Sequence, residues 1–438
     1  VFRDKEMKSE TITQFIMEHR AKHIRYNKLE RYYKGDNDIL NRILKDPDRP
    51  NNKISHPFGT YITDLLVGYF MGEPVAYQNA TENDADFKEL QMVFDYNMEH
   101  DENIKLADNA SIFGATYEIL YVADDGNIEF KVVEPTEAFL VYDHTIQANV
   151  NYGVRYVDIG NSETMVEVYT ATDITTYKMN NNTHELELID SVGHNFGDVP
   201  IIKYANNKYE IGDFEKVIPS IDAYDKFVSD SLNDFDYFTN AYLAFYGADK
   251  PDEDLDTMKQ QRLLFFPKGA KAEFITKDLH GAEIENHINR TEKDIHKLSK
   301  VPNSSDESFA NNSSGVAMQY KLLGTENLAI KKERNFTKAL QKRLKLILNF
   351  LNFKNNNQLE WTDISLSFTR NLPVDVGIMA DYISKLRGIV SDETMISWLP
   401  NIENPEKEIA KRDNQLEKDT SIDTDSIDFS NSSTTEWE

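Results

Sequence analysis

The sequence has no cysteine, no uninterrupted apolar run of eighteen residues and a marked shortage of positive charge, with 48 Lys and Arg against 75 Asp and Glu. Without cysteine there is neither a disulfide framework nor a thiolate metal site. Without a long apolar run no transmembrane helix is expected. The first residues, Val1-Phe2-Arg3-Asp4-Lys5, are charged and lack the apolar core of a signal peptide, so a soluble, intracellularly made protein without membrane contact is expected. A net charge of −27 argues against a protein that coats duplex nucleic acid with a basic footprint. It is compatible with a wall that DNA passes without sticking, and equally with charge that serves solubility.

Chemistry-bearing constellations are missing too. The ten histidines do not cluster, and His184 and His194 have no third ligand at metal spacing. Asp222, Asp225 and Asp230 share a predicted helix and superficially suggest a two-metal nuclease. No acidic strand residue or lysine partner accompanies them, so a solvated or lumen-facing acidic stripe is the plainer reading. Asp124-Asp125-Gly126-Asn127 lacks the twelve-residue calcium pattern and reads as a hairpin turn. Gly269 and Gly281 form no phosphate cradle, and there is no Walker loop. No cofactor and no catalysis are expected. Assembly or binding leads.

What is present is a 40% apolar fraction, enough for two or three packed units in 438 residues. Helical spacing predicts helices over Thr11–Tyr33, on Tyr61, Ile62, Leu65, Leu66, Tyr69 and Phe70 up to Gly72, and over Asp84–Ala110. From Ala115 the period changes to two. Strand-like runs at 117–121, 128–132, Ala138–Tyr142, Gly153–Ile159, Met165–Tyr169, Ile174–Met179 and Leu186–Ile189 form a β-rich unit. A very long helix is predicted from Gly212 to Phe245, about 45 Å of rod, with Pro219 at its bend or its true start. Arg262–Phe266 reads as a strand with Ala272–Ile275 as its partner, followed by a second rod over Glu283–Lys300. A polar loop, Val301–Gly315, joins that rod to a long helix over Val316–Leu351, the most basic segment of the chain, with Gly324 as a possible kink. A strand near Trp361, helices over Asp375–Arg387 and after the Ser391 cap, and a Ser/Thr/Asp-rich tail over 420–438 complete the pattern.

Several runs, read in order, carry a resemblance. They are Tyr32-Tyr33-Lys34-Gly35, Asn51-Asn52-Lys53-Ile54, Tyr69-Phe70-Met71-Gly72-Glu73-Pro74, Asn109-Ala110-Ser111-Ile112-Phe113-Gly114, Ile221-Asp222-Ala223-Tyr224, Val301-Pro302-Asn303-Ser304-Ser305-Asp306-Glu307 and Ser314-Gly315-Val316-Ala317. Their order and spacing over residues 20–400, more than any one run, make the chain resemble the portal proteins of long-tailed, non-contractile bacteriophages of Gram-positive bacteria. The resemblance implies an α+β portal fold with a wing, a helical stem, a small α/β clip and a helical crown. Residues 1–210 would supply N-terminal helices and wing, 211–246 and 283–300 the two stem helices, and 247–282 the clip. Residues 301–315 would be the tunnel loop, 316–372 the long helix and a wing strand, 373–419 the crown and 420–438 a disordered tail.

The implied function is a homo-oligomeric ring, usually of twelve subunits and sometimes thirteen in isolation, at the unique capsid vertex of a virion assembled in the host cytoplasm. Its channel would pass double-stranded DNA without reading sequence. Its partners would be the large terminase, a head-completion adaptor, and the major capsid and scaffolding proteins. The residues expected to matter are Asn303, Ser304, Ser305, Asp306, Glu307, Asn311 and Asn312 in the tunnel loop. Asp222, Asp230, Asp234, Lys293 and Lys297 are candidates for the stem lumen, and Arg262, Leu264, Phe266 and Lys268 for clip docking. The rival readings are another phage connector or adaptor ring without a motor-docking role, a DNA-translocating enzyme, and a carbohydrate-binding tail protein.

Overall fold

The computed structural model describes residues 8–46, 49–81, 83–239, 243–246, 263–266, 281–304, 315–355, 357–371, 376–397 and 408–415. The chain divides into two units, Val1–Asn371 and Leu372–Glu438.

In the first unit the N-terminal apolar stripe folds as two helices, α1 (Ser9–Arg20) and α2 (His23–Tyr33). One straight helix was expected, but the stripe serves two cores. Ile12 and Ile16 of α1 pack with a β-sheet cluster, whereas Tyr26, Leu29 and Tyr32 of α2 pack with the helices that follow. A helix α3 (Phe58–Met71) leads into strand β1 (Ala76–Asn79). The next expected helix is also two, α4 (Asp84–Asn97) and α5 (Glu99–Phe113), separated by Met98 in the left-handed region with φ 49°. Asn97 explains the break. Its Nδ2 donates to the Val93 carbonyl (2.8 Å) and the Ile128 carbonyl (2.9 Å), while its Oδ1 accepts from the Phe130 amide (3.0 Å). The helix end is thereby tied to a neighbouring strand.

The β-rich unit is present as expected, in two antiparallel sheets. Strands β2 (Ala115–Val122) and β3 (Ile128–Val133) form a hairpin whose turn uses Gly126 at φ 80°. Strands β4 (Ala138–Tyr142), β5 (Val150–Gly160), β6 (Glu163–Tyr169), β7 (Asp173–Asn180) and β8 (Leu186–Gly193) make a five-stranded meander. Strand β9 (Ile201–Ala205), which its short apolar run did not reveal, completes the order β3-β2-β9.

The first rod is shorter than expected. Helix α6 covers Ile218–Thr239, 22 residues and about 33 Å, and Pro219 marks its start. Leu243–Tyr246 is strand β10, not helix, and pairs in parallel with β11 (Leu263–Phe266). The run Leu243-Ala244-Phe245-Tyr246 continued the helical spacing, and a short apolar run does not separate helix from strand. The predicted partner at 272–275 lies outside the described residues. The second rod is α7 (Gly281–Ser299). Helix α8 (Gly315–Asn355) then runs 41 residues, about 60 Å, and strand β12 (Ile364–Ser367) pairs with β1. No break occurs at Gly324. A Cβ there would meet the Lys300 Cβ at 3.4 Å, and Thr325 Oγ1 donates to the Lys300 carbonyl (2.9 Å), so the glycine lets α8 pass close to the end of α7. The chain is α+β, as the pattern implied.

The main core is organised by α8. Phe336, Leu340, Leu344 and Ile347 share one buried cluster with Phe70, Leu106, Phe130 and Tyr204. Within it sits a cation: Arg343 is 1% exposed. Its Nε and Nη2 donate to the two oxygens of Glu118 (2.9 and 2.5 Å), and its Nη1 donates to Glu99 Oε1 (2.9 Å) and Asn103 Oδ1 (2.8 Å). The Phe130 ring faces the guanidinium at 4.6 Å. Lys332, also buried, donates to Asn206 Oδ1 (2.5 Å) and to Asp213. Two cations of the most basic segment of the chain therefore hold the fold from inside.

α1 is fastened to the meander through Tyr156, whose hydroxyl meets His19 Nδ1 at 2.7 Å and His23 Nε2 at 2.9 Å. Burial, helped by the nearby Lys22 charge, pushes the His19 imidazole down to about 3. A depressed pKa makes this contribution complete above the ordinary value of 6.5 and progressively lost as pH falls from there toward 3, by up to about 1.4 kcal/mol per pH unit. Urea midpoints measured between pH 7 and 5 should fall more steeply for the native chain than for His19→Gln. Parallel slopes would show that His19 does not couple α1 to pH.

The second unit contains α9 (Val376–Leu386), α10 (Asp392–Ser397) and a helical stretch at 408–415. Gly388 turns the chain at φ 87°, and Ser391 Oγ accepts from the Thr394 amide (3.3 Å), the expected cap. The tail at 420–438 lies outside the described residues.

Candidate functional site

The rods α6 and α7 pack side by side, with Ile221 and Ile295 in one buried cluster and the rings of Phe227 and His287 stacked at 5.9 Å. One face of α6 carries the acidic stripe. Its carboxylates are engaged within the subunit by residues 32–56, and this corrects the expectation of a solvated stripe for Asp222 and Asp225. Asp222 accepts from the Tyr32 hydroxyl, and burial pushes its carboxyl up from the usual range. Asp225, fully buried, accepts from Asn37 Nδ2 (2.6 Å), the His56 amide (3.0 Å) and His56 Nδ1 (2.8 Å). One turn on, Ser229 Oγ accepts from the Ile54 amide (3.0 Å) and Asp230 pairs with Arg42 (2.6 Å). Further along, Asn233 accepts from the Asn52 amide (2.7 Å) and Asp236 from Asn52 Nδ2 (2.7 Å). Positions 225, 229, 233 and 236 recur every three or four residues, so residues 37–46 and 49–56 lie along the helix as a strap on a polar rail.

The strap ends where the polar loop begins. His56, Phe58, Tyr61, Glu292, His296 and Asn303 enclose a cleft of about 290 Å³. The Tyr61 hydroxyl donates to the Pro302 carbonyl (2.8 Å) and accepts from the Ser304 amide (2.9 Å), and Asn303 Nδ2 donates to Glu292 Oε1 (3.0 Å). These contacts fix the direction in which the chain leaves α7. Lys300, in the left-handed region at φ 63°, makes the turn between them.

The predicted site residues are distributed as follows. Asn303 and Ser304 sit at the clamped loop base, while Ser305, Asp306, Glu307, Asn311 and Asn312 lie outside the described residues. Asp234 is partly buried on α6, and Lys293 and Lys297 are exposed on α7. Leu264 and Phe266 lie on β11, whereas Arg262 and Lys268 fall outside the described residues. Asn37, Arg42, His56, Tyr61 and Glu292 were not anticipated as site residues, although Asn51-Asn52-Lys53-Ile54 had stood out as a run. Among the described residues, no group of three His, Asp or Glu side chains could hold a metal ion, and no helix is long and apolar enough to cross a membrane.

Three comparisons bear on this architecture. The model of the family described as phage portal protein, SPP1 Gp6-like, matches residues 12–421. The portal protein of Bacillus phage SPP1 is 22% identical over 424 residues, covering 88% of this chain and 82% of that protein. The portal protein of Clostridium phage phiCD119 is 23% identical over 413 residues, covering 86% and 90%. A solved structure, "Neck of empty GTA particle computed with C6 symmetry", matches with TM-score 0.41 and 12% identity over 81% of this chain and 90% of that one. The chain belongs to the SPP1 Gp6-like family of phage portal proteins, and is a structural component of a bacteriophage particle, not an enzyme.

Proposed function

We propose that the subunit assembles into a closed ring, of twelve copies in the virion, whose channel passes double-stranded DNA into and out of the capsid at a single vertex. The observation that carries this reading is the packing of α6 beside α7, followed by a clamped polar turn at 301–304 and a 41-residue helix. Two rods with a loop anchored at one end are suited to project that loop toward a channel axis. In this reading α6 and α7 form the stem, with Asp234, Lys293 and Lys297 as lumen candidates. Residues 303–312 form the tunnel loop, residues 247–282 the clip, the β-rich unit and α8 the wing, and the second unit the crown. The clip, through Arg262, Leu264, Phe266 and Lys268, docks the large terminase and then the head-completion adaptor, while outer surfaces meet capsid and scaffolding proteins.

The loop 301–314 holds no lysine or arginine. Contact with phosphates through neutral donors or simple touch permits sliding, and phosphate contact of this kind carries no sequence information. Shortening Asn303–Asn312 while keeping the Tyr61 and Glu292 anchors should leave ring formation intact and lower packaged DNA at least tenfold. Normal DNA length and yield in particles bearing the short loop would remove the loop from the channel.

A further inference from the structure

Two surfaces of the first unit remain unaccounted for, and they are complementary. On the solvent side of α8, Tyr320, Leu323, Asn327, Lys331, Arg334 and Lys338 recur every three or four residues and are all exposed, Tyr320 to 74% and Leu323 to 54%. Other cations of this helix, Lys332, Lys342, Arg343 and Lys345, form ion pairs. Lys331, Arg334 and Lys338 have no acidic partner among the described residues. In a chain of net charge −27 this is an unusual cationic strip, with an apolar lead at its N-terminal end.

The second surface is a cleft of about 740 Å³ between β1 and the α4–α5 junction, lined by Val75, Phe94, Asp95, Met98, Glu99 and Asp101 among others. Met98 in its wall is exposed to 69%. His100, also in its wall, has a buried Nδ1 with no hydrogen-bond partner. Asp95 and Asp101 give the cleft negative charge. Asp101 pairs with the exposed Lys105, at 2.7 Å.

The two surfaces face opposite ways. At about 100° per residue, the strip lies on the far side of α8 from Phe336, Leu340 and Arg343. Arg343 reaches across that buried side to Glu99, and Glu99 forms part of the cleft. The cleft therefore lies beyond α5, and the strip lies beyond α8 in the other direction. A closed ring with one copy per step requires such a head-to-tail contact between two different patches of the same chain.

We infer that the α8 strip of one copy seats in the α4–α5 cleft of the next, with Lys331, Arg334 and Lys338 meeting Asp95 and Asp101, and Leu323 meeting Met98. This rests on the ring reading above. Local matching of opposite charges offsets the repulsion of assembling copies that are each strongly acidic.

The test uses the full chain in three forms: K331E/R334E/K338E, D95K/D101K, and all five changes together. Ring mass is read by native mass spectrometry at physiological salt. All five positions are exposed, so far-ultraviolet circular dichroism should match the native chain, while loss of the Asp101–Lys105 pair lowers the urea midpoint of the variants that carry D101K only slightly. Each partial variant alone should show at least a tenfold loss of rings. Their equimolar mixture should regain rings built of alternating copies, because one interface is the native pair and the next is the charge-reversed pair. The five-fold variant should regain rings.

Native-like rings from K331E/R334E/K338E would overturn the inference and leave the ring reading standing. Rings of normal mass that package less DNA would assign the strip to phosphate contact and overturn it as well. A native chain that never forms rings would overturn both readings.

Discussion

Arg343→Met should lower the unfolding free energy by about 3–5 kcal/mol, because it leaves the Glu118 and Glu99 carboxylates buried without their cation. The methionine approximates the volume of the lost side chain, so most of the loss comes from charge and hydrogen bonding, not from an empty cavity. Burial already pushes the Glu118 carboxyl up from its usual range against the pull of Arg343. Without the guanidinium it rises further and takes up a proton more readily. The deficit should therefore be largest near pH 7 and shrink toward pH 5, because a protonated Glu118 no longer needs the cation. Adding Glu118→Gln to Arg343→Met should recover part of the loss, a coupling that a double-mutant cycle reads directly. Urea unfolding followed by circular dichroism supplies all of these values. A loss below about 1 kcal/mol would mean that the network is not what joins α8 to α5 and β2.

Asp225→Ala should release the strap at 37–56 while α6 stays helical. Three donors converge on this fully buried carboxylate, from Asn37 and twice from His56. Leaving them unsatisfied should cost about 2–4 kcal/mol in local stability. The predicted signature is local: faster amide exchange at Asn52, Ile54 and His56, and new tryptic cleavage after Arg42 and Lys53. Asp225→Asn, which keeps the shape but changes one acceptor to a donor, should fall between the two. Unchanged protection over 52–56 would show that Ser229, Asp230 and Asn233 hold the strap by themselves. The strap also ends beside the loop anchors, through Phe58 and Tyr61 on α3. Strap and loop base are thus supported by the same helix start.

These two networks mark where the sequence is and is not legible. Alternation at 128–132 and 165–169 revealed strands because each buries one face, alternation at 117–121 did so although both faces are buried there, with Glu118 inside against Arg343, and Ser391 was a readable cap because its acceptor acts within three residues. The helix breaks at 21–22 and at Met98 were not readable. Each arises where one apolar stripe must serve two partners, and those partners are distant in sequence. The stripe of aspartates on α6 has the same spacing whether it faces solvent or a strap. What distinguishes the two cases is Asn37, Asn52 and His56, which lie 169 to 188 residues earlier.

The basic run around Lys331–Lys345 posed the same problem in reverse. Lys332 and Arg343 point inward to Asp213 and Glu118, while Lys331, Arg334 and Lys338 point outward. Composition cannot separate them, but helical phase measured from Phe336 and Leu340 can. Of the site itself, the loop and its flanking rods were visible as a polar interruption between two apolar periodicities. Its anchors on Tyr61 and Glu292 were not, because a tyrosine on an amphipathic helix looks like core.

The central claim is that this chain makes a ring around a DNA-sized channel, and negative-stain electron microscopy of the purified full-length protein tests it most directly. The account predicts closed rings with a central hole wide enough for a double helix. A protein that stays monomeric under all conditions, or that forms a trimeric spike, would contradict it.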